Sequence, residues 1–534
     1  MKKRIFAVVL VIALLLSGCD FLPSSRVQSQ VGVKFSEFTY TRPELQKFDD
    51  ILEKCQKAIN EERPVTMLVI YINNFYAQYD TFYTNYNLAD LHYCHDMTDS
   101  YWEAEYNFCM DMSADVEAKL EEMYRMLALS DYKEELEGEE YFGAGFLDSY
   151  TGEAVWNETY MRMAERESLL EAEYFALCAE ATNTEAYSDE FYDQYGQRFA
   201  QILVDLVAVR QEQAEYLGYD SYAEMAYSTI YGRDYTVAES EAYLYRFGQA
   251  LGDIYDDIFF DDVWQLGAKP CTEAEIMAYA EETAQAMGGQ VLDAFREMEQ
   301  RQLYDVSFSQ KKYDGWFELY LTDYDAPFIF GASWQEKQDV LNMIHEFGHF
   351  VNDYVCMESY VGTDVSEVQS QGMEYMSLLY AADEDLLQYK MADSLATYID
   401  QSAYALFELQ IHNLKGEELT VENVTRIYTQ ICEDFQISQG LWNPMGYVDV
   451  GHFYTSPMYI VSYVVSNDLA LQFYQMEQQQ PGAGLEKYLN CLESQDYYIL
   501  DFADTYGLEN PFALDRVDKV EALFEQIFAR QLAD

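Results

Sequence analysis

Between Asp339 and Cys356 the apolar residues Val340, Met343, Ile344, Phe347, Val351, Tyr354 and Val355 recur at i, i+3, i+4 and i+7. That spacing is one face of an α-helix. Ser333-Trp334-Gln335-Glu336 matches a capping box and marks the expected helix start, with Pro327 outside it. The stretches 45–60, 100–128, 158–182, 190–217, 272–301, 391–410 and 515–532 also read as helices, and Thr41-Arg42-Pro43-Glu44 reads as a helix start. One region differs. From Tyr304 to Ile329 the pattern, notably Trp316-Phe317-Glu318-Leu319-Tyr320-Leu321, suggests strands, and a small sheet there can hold an extended peptide by backbone pairing. Nine prolines in 534 residues fit a mainly α chain, without internal repeats or long low-complexity tracts. The main break is expected near 185–200, between helical domains at 37–195 and 196–534.

The periodic helix carries His345-Glu346-Phe347-Gly348-His349, an H-E-x-x-H sequence in a chain with six histidines. Residues four apart lie one turn above each other. Two imidazoles so placed reach one metal ion at about 2.0–2.1 Å, and the intervening Glu points toward metal-bound water as a general base. Gly348 leaves room for another chain segment against the helix. A catalytic zinc usually takes three protein ligands and keeps one position open. Downstream, Glu367, Gln371 and Glu374 stand at i, i+4 and i+7 and share one helical face. An antiparallel partner helix would place Glu367 on the metal, with Glu374 behind it orienting the ligands.

H-E-F-G-H followed by E-x-x-S-Q-x-x-E resembles the thimet oligopeptidase and oligoendopeptidase F family, the M3 zinc metallopeptidases. The resemblance implies His345, His349 and Glu367 as ligands of one zinc ion per chain, Glu346 as general base and Glu374 as a supporting residue. Arg210 to Leu217-Gly218-Tyr219 and Ser221-Tyr222 resembles a further helical segment of that family. Gly451-His452-Phe453-Tyr454, leading into Met458-Tyr459-Ile460-Val461-Ser462-Tyr463, is similar to a segment whose His and Tyr residues stabilise the oxyanion in the family. The segment here carries one extra residue between the His and the tyrosines, and Val461 where relatives often have Tyr. By that match His452 and Tyr459 are catalytic, and Tyr454 and Tyr463 bind substrate. The resemblance spans roughly residues 200–500. It implies a mainly α, two-lobed zincin-type metallopeptidase, with a deep channel, a small sheet near the active site, and an endopeptidase activity on short unfolded peptides. Two other readings stay open: a zinc exopeptidase of a related family, and a non-catalytic surface lipoprotein that binds peptides.

The N-terminus suggests where such activity resides. Lys2-Lys3-Arg4 precedes an apolar run from Ile5 to Leu16, then Leu16-Ser17-Gly18-Cys19. A charged start and a short apolar core are the marks of a secretory signal, too short for a comfortable membrane span. Leu-Ser-Gly-Cys resembles the bacterial lipobox, which implies a signal at 1–18, lipidation of Cys19, a polar tether over 19–36, and a chain held at the membrane outside the cytoplasm. The net charge of −63, about −66 without the three positive charges of the signal, argues against nucleic acid as a partner. Eight further cysteines are widely spaced with no C-x-x-C, so neither a thiolate metal site nor a redox motif is indicated. Disulfides are possible, but a chain this long can build a core without them. His92, Cys94 and His95 read as a chance grouping on a Tyr-rich helix.

Overall fold

The stripe that begins after Asp339 becomes the buried side of a helix spanning Gln338–Cys356, referred to below as the motif helix. The computed structural model describes residues 32–138, 141–152, 157–181, 188–259, 262–357, 361–381, 383–437 and 443–529. Cys19 and its signal lie outside them. The described chain is mostly helical, with one three-stranded sheet. Among the described residues no helix is long and apolar enough to cross a membrane.

The described residues fall into two compact units. One takes the chain up to Met161 together with Arg296–Ala332; the other takes Arg162–Phe295 and Ser333 onward. The division therefore lies at 161/162 rather than near 185–200, and the strand region groups with the first unit. In that unit the helices Gln46–Asn60, Val65–His95 and Ser100–Ala128 close over a core that includes Phe48, Leu52, Phe75, Phe82, Val116 and Leu120. Strands β1 (Tyr304–Val306), β2 (Trp316–Leu321) and β3 (Ala326–Gly331) order as β1-β3-β2, parallel at β1/β3 and antiparallel at β2/β3. The sheet docks on the helix Val65–His95, where Asn87 donates to the Tyr320 carbonyl at 3.0 Å. His92 stacks on Trp102, Cys94 donates to Asp90, and His95 pairs with Asp305 at 2.7 Å, so these three form no metal cluster.

The second unit is organised around the helix Thr363–Tyr380, the partner helix. Its polar residues Glu367, Gln369, Ser370, Gln371, Glu374 and Ser377 are all buried. Buried polar groups need partners, and each finds some. Gln369 donates to the Cys491 carbonyl, Gln371 to Ser466 on the helix Val461–Gln479, and Ser377 to the Glu374 carbonyl.

Three local expectations are corrected. Ser333 does not cap the motif helix, which begins at Gln338. Residues 335–337 instead pair with 269–271: Cys271 N–H donates to the Gln335 carbonyl and Lys337 N–H to the Lys269 carbonyl, each at 2.8 Å. Asp339 then reaches back, its carboxylate accepting from Ser333 Oγ and from Glu336 N–H. The single helix expected over 272–301 is two helices, Glu273–Met287 and Gly289–Arg301, because Gly288 and Gly289 both take positive φ, +70° and +52°. The stretch 391–410 belongs to a longer path through Glu384–Ala396, a π-turn at Thr397–Gln401 and Ser402–Ile411. All eight cysteines among the described residues are free thiols.

Candidate metal centre

The motif and partner helices cross where Gly348 sits. A Cβ at this position would lie 2.7 Å from Ser370 Cα and 3.0 Å from the Gln369 carbonyl oxygen, so only glycine permits this approach. Moving along the motif helix from His345 to His349, contacts on the partner helix run backward from Glu374 to Ser366, as antiparallel packing requires. The crossing brings His345, His349 and Glu367 together. One ligand-type atom from each lies within 4.8 Å of the others, the one such group of three among the described residues.

The donor chemistry suits a single ion. His345 Nδ1 bonds Glu374 Oε1 at 2.8 Å and His349 Nδ1 bonds Ser366 Oγ at 3.0 Å, which turns both Nε2 atoms toward Glu367. His345 Nε2 stands 3.3 Å from Glu367 Oε2. Bonds of about 2.0–2.2 Å at tetrahedral angles put ligand atoms roughly 3.3–3.6 Å apart. Glu374 is itself fixed by Lys390, whose Nζ lies 2.8 Å from Oε2. Lys390, Glu374 and Glu367, all buried, thus form with the half-buried His345 a row of alternating charge-bearing groups, with Ser370 Oγ donating to Glu367 Oε2 at 3.2 Å.

Burial and these neighbours set the protonation states. Burial favours the neutral form of every group here. At His345 it is outweighed by hydrogen bonds to Glu367 and Glu374, which raise the imidazole well above its ordinary value. Burial depresses His349 to about 4. Burial would raise Glu367, but His345 and His349 overcome it and hold the carboxyl at about 2. Glu374 is likewise lowered, against burial, by Lys390 and His345. Both glutamates are therefore carboxylates. Glu346, on the same turn as His345, is 7 % exposed.

A second wall comes from the segment 452–463. Tyr459 donates to Glu367 Oε1 at 2.5 Å, and His452 Nε2 lies 3.2 Å from the Tyr463 hydroxyl. The rings of Tyr459 and Tyr463 stand 5.1 Å apart. Burial, reinforced by Glu367, keeps both phenols protonated, and burial lowers His452 to about 4. His452, Tyr459 and Tyr463 consequently line one site with Glu367. Tyr454 does not. It is fully buried, stacks on Tyr174 with ring centroids 4.0 Å apart, and donates to the Phe199 carbonyl. Tyr454 therefore serves packing and not the substrate-binding place the resemblance implies for it. Ser366 and Lys390 also belong to the site, beside Ser370 of the second motif. Ser366 immediately precedes the second motif, a usable signal, whereas Lys390 carries none.

Residues 35–150 match the model of the Peptidase M3 N-terminal domain, a stretch that precedes the motifs at 200–500. No curated protein sequence matches the chain. Solved structures do. A candidate oligoendopeptidase F superposes with a TM-score of 0.76 at 19% identity, covering 92% of this chain and 98% of that one. PZ peptidase A, solved with an inhibitor, gives 0.77 at 18% identity over 94% and 99%. A candidate oligoendopeptidase F from Bacillus anthracis gives 0.74 at 19% over 94% and 98%. The chain thus carries a segment similar to the Peptidase M3 N-terminal domain within a fold similar, along more than nine-tenths of its length, to that of solved peptidases.

Proposed function

We propose that this protein is a zinc-dependent endopeptidase of the M3 type, hydrolysing internal bonds of short unfolded peptides. The observation that carries the reading is the two-imidazole, one-carboxylate donor set beside a buried glutamate. His345 and His349 would hold the ion through Nε2, and Glu367 through a carboxylate oxygen. When bound, the ion supplies Lewis acidity, polarising a carbonyl and making water acidic enough to react near neutral pH. Glu346 accepts a proton from the attacking water and delivers it to the leaving amine, so no residue is covalently modified. Tyr459, Tyr463 and His452 offer O–H and N–H donors to the negative charge that develops on the carbonyl oxygen. Glu374 and Lys390 keep His345 oriented throughout.

Glu346→Gln keeps the side-chain shape and removes the base. It is expected to lower peptide cleavage at least about 10³-fold while the protein still binds one zinc. Blocked peptides of graded length and an intact globular protein serve as substrates, with product masses recorded. Unchanged turnover in the variant would sink the role of Glu346. Rapid loss of the native protein, or products trimmed one residue at a time, would instead favour another zinc hydrolase.

We further propose that the protein works outside the cytoplasm, anchored through lipid on Cys19. Leu-Ser-Gly-Cys after a short apolar run supports this. Cys19→Ser should move the protein from the membrane to the soluble extracytoplasmic fraction and abolish incorporation of labelled fatty acid. Equal labelling of both forms would reject the anchor.

A further inference from the structure

The loop that presents Tyr459 is not self-supporting. Its Met458 has a φ of +66°, a left-handed conformation unusual for a residue with a Cβ. Holding such a conformation requires contacts from outside the loop, and they converge on it. Tyr231 donates to the Pro457 carbonyl at 2.8 Å. Arg233 Nη2 donates to the Met458 carbonyl and to Ser462 Oγ, both at 2.9 Å. Glu408 takes a hydrogen bond from the Met458 backbone.

Arg233 is the centre of this arrangement. Its side chain is fully buried, with Nε 3.6 Å from Asp364 Oδ2. Its guanidinium carbon lies 4.4 Å from the ring centroid of Tyr227 and 4.2 Å from that of Tyr231, at cation–π distance. Asp364 lies one turn before Glu367 on the partner helix. One guanidinium therefore faces both walls of the site: the helix that bears Glu367, and the loop whose Tyr459 hydroxyl bonds Glu367. A lysine carries the same charge but lacks the planar guanidinium that lies against both rings while Nη2 reaches the loop and Nε faces Asp364.

We propose that Arg233 is a positioning residue, which locks the strained Met458 turn against the partner helix and so sets where the Tyr459 hydroxyl donates. The role rests on the peptidase reading of the site. It differs from plain structural support, because all of its effect on turnover passes through Tyr459.

The test is a double-mutant cycle on the zinc-loaded full-length protein: wild type, Arg233→Lys, Tyr459→Phe and the pair, with kcat and KM measured separately on a blocked peptide. A displacement of about an ångström at a reacting group costs up to about 100-fold, so Arg233→Lys should lower kcat roughly tenfold or more and leave KM within about twofold. With Tyr459→Phe in place, the lysine should add less than about twofold, as for residues that act as one unit. Equal losses in both backgrounds, or no loss in either, overturn the proposal. Should Arg233→Lys fail to fold, Ser462→Ala removes one of the two acceptors, and its smaller loss should likewise vanish beside Tyr459→Phe. A wild type that cleaves no peptide overturns the site reading itself. An active wild type with independent losses overturns only the role of Arg233.

Discussion

At His345 the chemistry depends on a residue far along the chain. Lys390, 4 % exposed, neutralises the back of Glu374, and Glu374 fixes the imidazole through Nδ1. Lys390→Met removes the cation and leaves Glu374 a buried carboxylate with one partner fewer. Loss of such an outer partner typically costs about 10–100-fold in metal affinity. Competition with a chromophoric chelator should show zinc binding weakened by roughly tenfold or more, with far-ultraviolet circular dichroism unchanged. Affinity equal to wild type would mean that Glu374 orients His345 without help. None of this row beyond Glu374 could be read from sequence. His345, Glu346 and His349 are legible because a metal helix imposes a fixed spacing. Lys390 meets Glu374 only through tertiary packing, and no spacing rule links them.

At the level of elements, the motif helix can supply ligands only because the partner helix comes so close. Gly348→Ala would put Cβ within 2.7 Å of the Ser370 backbone, where no flexible side chain can yield. Overpacking of this kind costs about 1–3 kcal/mol. A lower melting temperature is expected together with weaker zinc binding, because separating the helices draws Glu367 away from the histidines. A variant that melts lower yet binds zinc as tightly as wild type would show that the ligand geometry tolerates the shift. The apolar period predicted this helix well, and Val340, Met343, Ile344, Phe347 and Val351 are all buried. Its start differs from the capping-box expectation because residues 335–337 pair with a segment some 65 residues upstream, a contact that local pattern does not carry. The Gly288-Gly289 pair is the visible signal for the break between the two helices of 272–301, both glycines taking positive φ. The helix Val65–His95 carries no such stripe. It mixes tyrosines and asparagines with buried residues on several sides, so its polarity never settles into one stripe.

Across the whole molecule, buried titratable groups set the pH response. Burial raises Asp90 and Asp400 to about 7 and Glu408 to about 8. An acid whose pKa is raised on folding binds more protons folded than unfolded, so its stabilisation is lost as pH rises through the folded value. Burial lowers His412 to about 3 and His452 to about 4, and these groups cost stability only as pH falls below about 6.5. Between about pH 6.5 and 8.5 the three acids therefore act without opposition from these histidines. Self-repulsion at a net charge of −63 points the same way. Melting temperature should fall across that window at constant ionic strength, and Glu408→Gln should flatten the slope. A melting temperature that climbs from pH 6.5 to 8.5 would contradict the burial of these acids.

The path of the chain through its two units has a temporal consequence. The unit that bears the candidate metal centre is written in two pieces, Arg162–Phe295 and Ser333 onward, with Arg296–Ala332 spent on the other unit in between. Its candidate ligands come from the later piece, whereas Tyr231 and Arg233, which hold the Tyr459 loop, come from the earlier one. No contiguous fragment of a growing chain holds all of these residues until residue 463 has followed. Assembly of the candidate donor set together with its clamped loop is thus tied to the end of folding.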